Sequence, residues 1–304
     1  MYPIGVVGPG AERLAKRLTE HLAEHGRVGV VTNRRPDGNR ADSEQGGTTP
    51  SADGGTAVAE TRTEELDRYR TAGAASVYGL DDEGWSAIGG GMDLHDALYA
   101  MAPARDFCVV EGPIGSAEDL PLVVLGGVEA SSATDVDADA AGGLVLARAP
   151  TADAIDPEEV RETLEATEPI ETLESLVEGV KASPEAPQSG AIATFTGRVR
   201  AQEDAEDTPT EYLAFEKYEG VADERMAQIS SELEAREGIY EVLMHHRSGR
   251  LDYGEDIVFV VVLAGHRGEA FETVEDGIDR LKAEVPIFKK EVTVDEEFWV
   301  HDRP

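Results

Sequence analysis

The chain has 304 residues, with 62 Asp and Glu against 27 Lys and Arg, so its formal net charge is −35. This charge repels nucleic acids and anionic membranes at long range, and a hydrophobic content of 40% excludes wholesale disorder. No stretch reaches the ~20 apolar residues of a membrane helix, and the first residues do not form a signal-peptide pattern. We therefore expect a soluble, cytoplasmic protein.

Length and residue usage narrow the expectation further. A single core rarely grows beyond about 250–300 residues, so the length favours two domains. The one cysteine, Cys108, excludes an internal disulfide framework and zinc-finger spacing. The carboxylate excess favours adaptation to a high-salt cytoplasm over binding of cationic partners. Only six of the 27 cationic residues are lysines, so a lysine cluster is informative.

Strand and helix signals alternate in the first half of the chain. Leu14, Leu18 and Leu22 recur at helical spacing between two apolar strands. Short apolar segments predict strands at residues 4–7, 28–32, 107–110, 122–125 and 144–147. Residues 36–62 are rich in Gly, Ser and Asp and predict a long surface loop. This alternation predicts an α/β domain with a mostly parallel sheet, over residues 1–165 including an acidic linker.

The turn after the first strand, GPG, suggests a phosphate cradle at a helix N-terminus. The P-loop pattern G-x-x-x-x-G-K-[ST] fails from Gly8 onward, because Arg13, Leu14 and Ala15 stand where Gly, Lys and Ser or Thr are required. The segments IGVVGPG, ELDRYRTAGA and DFCVVEGP, whose Glu111 takes a Walker-B-like position, resemble the MobB family of P-loop proteins. The resemblance implies a P-loop-like fold with degenerate chemistry. A purely structural role and nucleotide binding without hydrolysis both stay open.

The second half, residues 166–304, has a different texture. Alternating apolar residues predict strands at 190–200, 211–220, 240–245 and within 287–304, and residues 257–265 predict a buried strand. Helices are predicted at 221–238 and 269–286, the second ended by Pro286. An acidic loop is predicted at 201–210 and a turn-rich connection at 246–256. These elements predict an α+β domain with antiparallel pairing.

Three of the six lysines lie close together in RLKAEVPIFKKE: Lys282, Lys289 and Lys290. The pKa of a lysine falls on burial, so such a residue can act as an acid, a base or a nucleophile. A solvated helix end, whose cations complement the helix dipole, explains the same pattern. Charge alone does not separate these two interpretations.

Further cations stand at the predicted strand ends. Arg198 and Arg200 share a face at the end of one strand, and His266-Arg267 follows the most apolar strand. Residues 245–247, His-His-Arg, form a third cluster. A guanidinium beside the N-terminus of a helix suits a phosphate group. Together the three clusters predict a site for an anionic substrate.

Several kinds of chemistry are missing from residues 109–304. They contain no cysteine, no G-x-S-x-G elbow and no H-E-x-x-H metal helix. Group transfer here must therefore use Lys, His and Arg, with a reactive group supplied by the substrate or a partner. We expect neither a cofactor nor a metal.

The motifs GAIATFTGRVR, FEKYEG, HHRSGRLDYGED, VVLAGHRGEAFE and LKAEVPIFKKE occur in this order over residues 166–304. They resemble the catalytic large subunit of molybdopterin synthase, the MoaE family. The resemblance implies an α/β hammerhead-like fold and a homodimer. It also implies a small β-grasp sulfur-carrier partner, MoaD-like, with a C-terminal Gly-Gly thiocarboxylate. The expected reaction transfers sulfur to cyclic pyranopterin monophosphate and forms the dithiolene of molybdopterin.

The resemblance also implies roles for individual residues. Lys282 matches the catalytic lysine of the family, acting as a general acid/base or an electrostatic stabiliser, with Lys289 nearby. The residues that the resemblance assigns to substrate binding are Arg198, Val199, Arg200, His266, Arg267, Lys290 and Glu291. Phe288 stands where Trp is common, and the acidic loop after Arg200 is longer than usual. The alternative is a non-catalytic scaffold that docks a ubiquitin-like carrier beside a nucleotide-binding N-terminal domain.

Overall fold

In the computed structural model the chain folds as two compact units, one of residues 2–101 and 105–169, the other of residues 170–304 with Met1 and residues 102–104. The structure describes residues 1–32, 65–82, 84–112, 120–126, 144–202, 208–218, 220–293 and 297–300. The predicted loop at 36–62 and residues 203–207 of the predicted acidic loop lie outside these ranges. None of the helices in the described ranges combines the length and apolar composition that crossing a bilayer requires.

The N-terminal unit is built around one parallel sheet. Its elements are β1 (Tyr2–Val7), α1 (Ala11–Leu22), β2 (Val28–Thr32), β3 (Ser76–Asp81), β4 (Gly84–Gly89), α2 (Leu94–Met101), β5 (Phe107–Glu111), β6 (Leu122–Leu125), β7 (Val145–Ala149) and α3 (Pro157–Glu165). The sheet has the order β2-β5-β1-β6-β7, and each neighbouring pair is parallel. The predicted α/β fold is confirmed.

The turn between β1 and α1 keeps the strand–turn–helix form of a phosphate cradle without its cations. Gly8 has φ +101°, and a Cβ there would lie 1.9 Å from the carbonyl oxygen of Leu125, so only glycine fits. Arg13 pairs with Asp153 at 2.8 Å. The next cation, Lys16, lies 3.9 Å from Glu20. Both of these cations thus contact carboxylates of the chain itself.

The C-terminal unit contains two antiparallel sheets. Its elements are α4 (Leu173–Lys181), β8 (Ala191–Arg198), β9 (Thr210–Lys217), α5 (Val221–Glu234), β10 (Ile239–His246), β11 (Gly249–Asp252), β12 (Asp256–Ala264), α6 (Arg267–Glu284), β13 (Ile287–Thr293) and β14 (Glu297–Val300). One sheet has the order β10-β12-β8 and the other β11-β9-β13-β14. Antiparallel pairing was predicted and is confirmed.

The three-stranded sheet is covered on both faces. Residues of α5 and α6, among them Ile229 and Leu281, pack on the face that carries Val260 and Phe195. Helix α4 packs on the opposite face, where Val261 and its alternate neighbours are buried. Strand β12 is therefore buried on both faces, which explains why its sequence is a continuous apolar run rather than an alternating one.

Two elements differ from the sequence-based expectation. Residues 246–256, predicted as a turn-rich connection, contain β11, a four-residue edge strand that pairs with β9. Its sequence, GRLD, is too short and too polar to show strand periodicity. Helix α6 begins at Arg267, two residues before the predicted start. His266 is consequently the residue that caps the helix, and Arg267 is its first residue.

Candidate active site

Helix α6 carries a cationic pair at its N-terminus. The backbone N–H of His266 donates to Glu269 Oε2 at 3.2 Å, which fixes the start of the helix. Both His266 and Arg267 are exposed. Among the described residues, the guanidinium of Arg267 has no hydrogen-bond or ion-pair partner. This end of the helix therefore combines the backbone N–H groups of a first helical turn with the guanidinium of Arg267, an arrangement suited to an anion.

The opposite end of α6 carries Lys282. Its neighbour Leu281 is buried in the core, while Lys282 is exposed. The ammonium nitrogen lies 5.9 Å from the centroid of the Phe195 ring on β8, within the range of a cation–π contact. In the part of the chain that the structure describes, no carboxylate pairs with this lysine.

Gly197 sets the position of the Phe195 ring. A Cβ at Gly197 would lie 2.6 Å from Val258 Cγ1 and 3.5 Å from Phe195 Cε1. Side chains two residues apart on a strand share a face, so a larger residue here would press on the ring. Sequence reasoning did not identify Phe195 or Gly197, since neither has a chemical signature apart from its place in the sheet.

Lys289 and Lys290 lie on opposite faces of their sheet. Lys289 is directly opposite Phe215 of β9, and that residue belongs to a buried cluster with Val199. Lys290 lies on the other face, with its ammonium 5.8 Å from the Trp299 ring. Lys289 has neither an ion pair nor a hydrogen bond within the described ranges. Lys289 and Phe215 therefore share a face of the sheet, and Phe215 is buried there in one cluster with Val199.

The predicted strand-end residues have unequal access to a ligand. Arg198 is exposed but pairs with Asp256 at 3.2 Å and donates to the carbonyl of Gly254. Val199 is buried, its N–H donates to the carbonyl of Glu255 at 2.9 Å, and its carbonyl accepts from Gly254 at 3.0 Å. Arg200 is exposed. Arg200 lies two residues beyond the end of β8.

Two other predicted groups are held within the fold. Glu291 accepts a hydrogen bond from the hydroxyl of Thr210. In the His-His-Arg cluster, His246 is buried, with its Nδ1 2.8 Å from the carbonyl oxygen of Arg247. Arg247 in turn donates to Glu255 at 3.0 Å and to the carbonyl of Asp256 at 2.9 Å. These contacts stabilise the turn before β12, which is a structural use of the cluster.

The predicted cations lie on different elements of the C-terminal unit. Lys282 lies over Phe195 of β8, and Lys289 is opposite Phe215, which is buried in one cluster with Val199. Arg267 is fifteen residues before Lys282 on the same helix, a separation of about 22 Å at 1.5 Å per residue. The His266–Arg267 pair and Lys282 therefore lie toward opposite ends of one helix.

The pattern of ion pairs distinguishes three of the predicted cations from the other basic residues of the C-terminal unit. Arg267, Lys282 and Lys289 all lack a carboxylate partner in the described ranges. Carboxylates do pair with other arginines of the same unit, namely Arg198, Arg225, Arg236, Arg247, Arg250 and Arg280. In a chain with 62 acidic residues, these three cations remain available for an anion from outside.

The chain is similar to known proteins over its C-terminal half and over its whole length. Residues 166–284 match the family model described as MoaE protein. A probable molybdopterin synthase of Haloferax volcanii is 46% identical over 304 residues, covering 100% of both chains. The molybdopterin synthase catalytic subunit of Halalkalibacterium halodurans is 39% identical over 117 residues, which are 38% of this chain and 74% of that protein.

The N-terminal half has its own similar structures. The structure of Bacillus subtilis MobB is 17% identical and covers 54% of this chain and 97% of that chain, with a TM-score of 0.31. The full-length match to the Haloferax volcanii protein extends over both halves. The chain belongs to the molybdopterin synthase (MoaE) family, enzymes of molybdenum cofactor biosynthesis.

Proposed function

We propose that the C-terminal unit transfers sulfur from the thiocarboxylated C-terminus of a small β-grasp carrier to cyclic pyranopterin monophosphate. The observation that carries the proposal is the set of three cations without carboxylate partners, Arg267, Lys282 and Lys289, among the described residues. A phosphorylated pterin and a thiocarboxylate are both anions, and both need cations that the protein has not already neutralised.

The residues divide into two tasks. Lys282 and Lys289 act where acyl transfer from the carrier builds up negative charge, as a general acid/base or as stabilisers of an oxyanion. Arg200, His266 and Arg267 hold the phosphate and the pterin. Sulfur arrives on the carrier, so the reaction needs no cysteine in residues 109–304, and that part of the sequence contains none.

We further propose that the working form is a homodimer. Arg267 and Lys282 lie about 22 Å apart along α6, too far for both to contact one small substrate. If each site takes Lys282 from one chain and His266–Arg267 from its partner, both sets of cations reach the same molecule. A two-fold dimer forms two such sites. Size-exclusion chromatography with light scattering should give twice the mass of one chain, and a monomer active at the same concentration would contradict this arrangement.

A single-turnover assay tests the function. The full chain and the thiocarboxylated carrier are mixed with cyclic pyranopterin monophosphate at high salt, and the conversion of the pterin is measured. Wild type should form product, and Lys282→Ala should slow formation at least ~100-fold, the scale of a lost acid/base group. Lys181→Ala is the matched control, because Lys181 pairs with Glu178 on α4 and should convert normally. Carrier binding without product from wild type would instead support the scaffold alternative.

A further inference from the structure

A second cluster of side chains, able to act as metal ligands, lies in the N-terminal unit. It consists of His21 in the last turn of α1, His25 just beyond that helix, and Glu158 in the first turn of α3. One ligand atom from each residue lies within 4.8 Å of the other two. Two imidazoles and one carboxylate form the donor set that zinc-class ions prefer.

The two histidines are spaced to face one ligand. They are four residues apart, and the helix continues into a turn, with the N–H of His25 donating to the carbonyl of Leu22 at 3.0 Å. Their ring centroids lie 5.1 Å apart. Residues four apart on a helical turn share a face, so both rings point toward the same volume.

A backbone contact orients the His25 ring. Its Nδ1 lies 3.2 Å from the carbonyl oxygen of His21. A carbonyl oxygen only accepts, so Nδ1 carries the proton, and Nε2 of the neutral ring keeps its lone pair. A ring N–H bonded to a carbonyl is the usual outer-shell arrangement of histidines that bind metals.

Hydrogen bonds also hold the carboxylate of Glu158. Glu158 Oε2 lies 2.8 Å from His21 Nε2, and Arg161 donates to both carboxylate oxygens. A metal that replaced the proton between His21 and Glu158 would need these two atoms about 3.3 Å apart in tetrahedral geometry. The required opening is about half an ångström. Arg161 keeps a bond to Oε1, so the carboxylate stays oriented while Oε2 binds the ion.

The helices that carry these residues are fixed by packing. Leu18 and Leu22 of α1 and Val160 and Leu164 of α3 are buried in one cluster. The His21 side chain is 25% exposed and that of Glu158 is 43% exposed, which leaves a side open to solvent. Two of the three ligands are thus held by their contact with each other, and the third, His25, is exposed and is oriented by its bond to the His21 carbonyl.

We infer that His21, His25 and Glu158 bind one divalent transition-metal ion of the zinc class, which clasps α1 to α3. Three protein ligands leave one position for water or for a ligand from another molecule. The other group of this kind, Asp93, His95 and Asp96, is entirely exposed. Its carboxylates accept backbone N–H bonds within the same turn, so they are already engaged.

Calorimetric titration of the full chain with ZnCl2 in chelator-free buffer tests the inference. Wild type should bind one ion per chain, and His25→Ala should weaken binding at least ~10-fold, the minimum seen even for outer-shell changes. His95→Ala and Glu159→Gln are the controls, and both should bind as wild type. The inference is overturned if wild type binds no more tightly than His25→Ala, or if His95→Ala removes the ion.

Thermal unfolding separates a metal site from a structural ion pair. His25 takes no part in the contact between His21 and Glu158, so His25→Ala should leave the Tm of the metal-free chain unchanged. Zn²⁺ should raise the Tm of wild type by mass action and should not raise that of His25→Ala. Equal rises in both proteins would contradict the site. Glu158→Gln adds a second readout, with a loss of zinc affinity that Glu159→Gln does not share.

Discussion

At the scale of single residues, pairing distinguishes the candidate catalytic cations from the structural ones. An exposed ion pair contributes only about 0.2–1 kcal/mol, so leaving Lys282, Lys289 and Arg267 without partners costs the fold little. A carboxylate beside any of them would compete with an anionic substrate. The sequence identified all three from their clustering, but only the structure separates them from Arg198 and Arg247, which are paired.

The cysteine gives a prediction at the same scale. Burial raises the pKa of the Cys108 thiol to about 12, so at pH 8 the thiol is protonated and unreactive. Iodoacetamide should leave the native chain unmodified and should label it fully in denaturant, as mass spectrometry would show. Cys108→Ala should also retain sulfur transfer. Rapid labelling of the folded protein, or loss of transfer in the variant, would mean that the thiol takes part in the chemistry.

At the scale of elements, the sequence predicts the strands and helices whose residues are periodic, and fails where pairing alone decides. Strands β2 and β6 have the predicted limits. Strands β11 and β4 were not predicted, because short strands with few apolar residues are recognisable only by their partners, whereas the segment that forms β3 was predicted to run from a helix into a strand. That Lys289 lies directly opposite Phe215 follows from the register of β13 against β9, which no local pattern specifies.

Substitution of Gly197 tests how β8 packs against β12. Gly197→Ala places a methyl group 2.6 Å from Val258 Cγ1, and overpacking of this kind typically costs about 1–3 kcal/mol. The same methyl group would lie 3.5 Å from Phe195 Cε1, an ordinary contact, so sulfur transfer should stay close to that of wild type. Gly268→Ala in α6 meets no atom within 4 Å and should stabilise the chain by about 0.5–1 kcal/mol. Urea denaturation would measure both; equal effects of one sign would refute the packing argument.

At the scale of the whole molecule, the net charge of −35 opposes the substrate that the site is proposed to bind. Raising KCl from about 0.1 M to about 1 M shortens the Debye length from about 10 Å to about 3 Å. The long-range repulsion of a phosphate is then screened, while contacts at the site persist. We therefore expect kcat/KM for the pterin to rise with salt over this range. A steady fall would show that the local cations, rather than the net charge, govern the encounter.

The sequence motifs do not specify how two chains assemble. The helix predicted at 269–286 already separates Lys282 from His266 and Arg267. The structure shows that α6 begins at Arg267 itself, so one helix holds the two cationic groups about 22 Å apart. This separation is the reason for proposing that two chains share each site.

Subunit complementation tests that claim most directly. Arg267→Ala and Lys282→Ala chains, co-expressed with different tags and purified as the mixed species, would be assayed for sulfur transfer to the pterin. Each variant alone should be nearly inactive, and the mixed dimer should recover about half of the wild-type activity, because one of its two sites has every cation. A mixed dimer as inactive as either parent would contradict the shared site and place all the chemistry within a single chain.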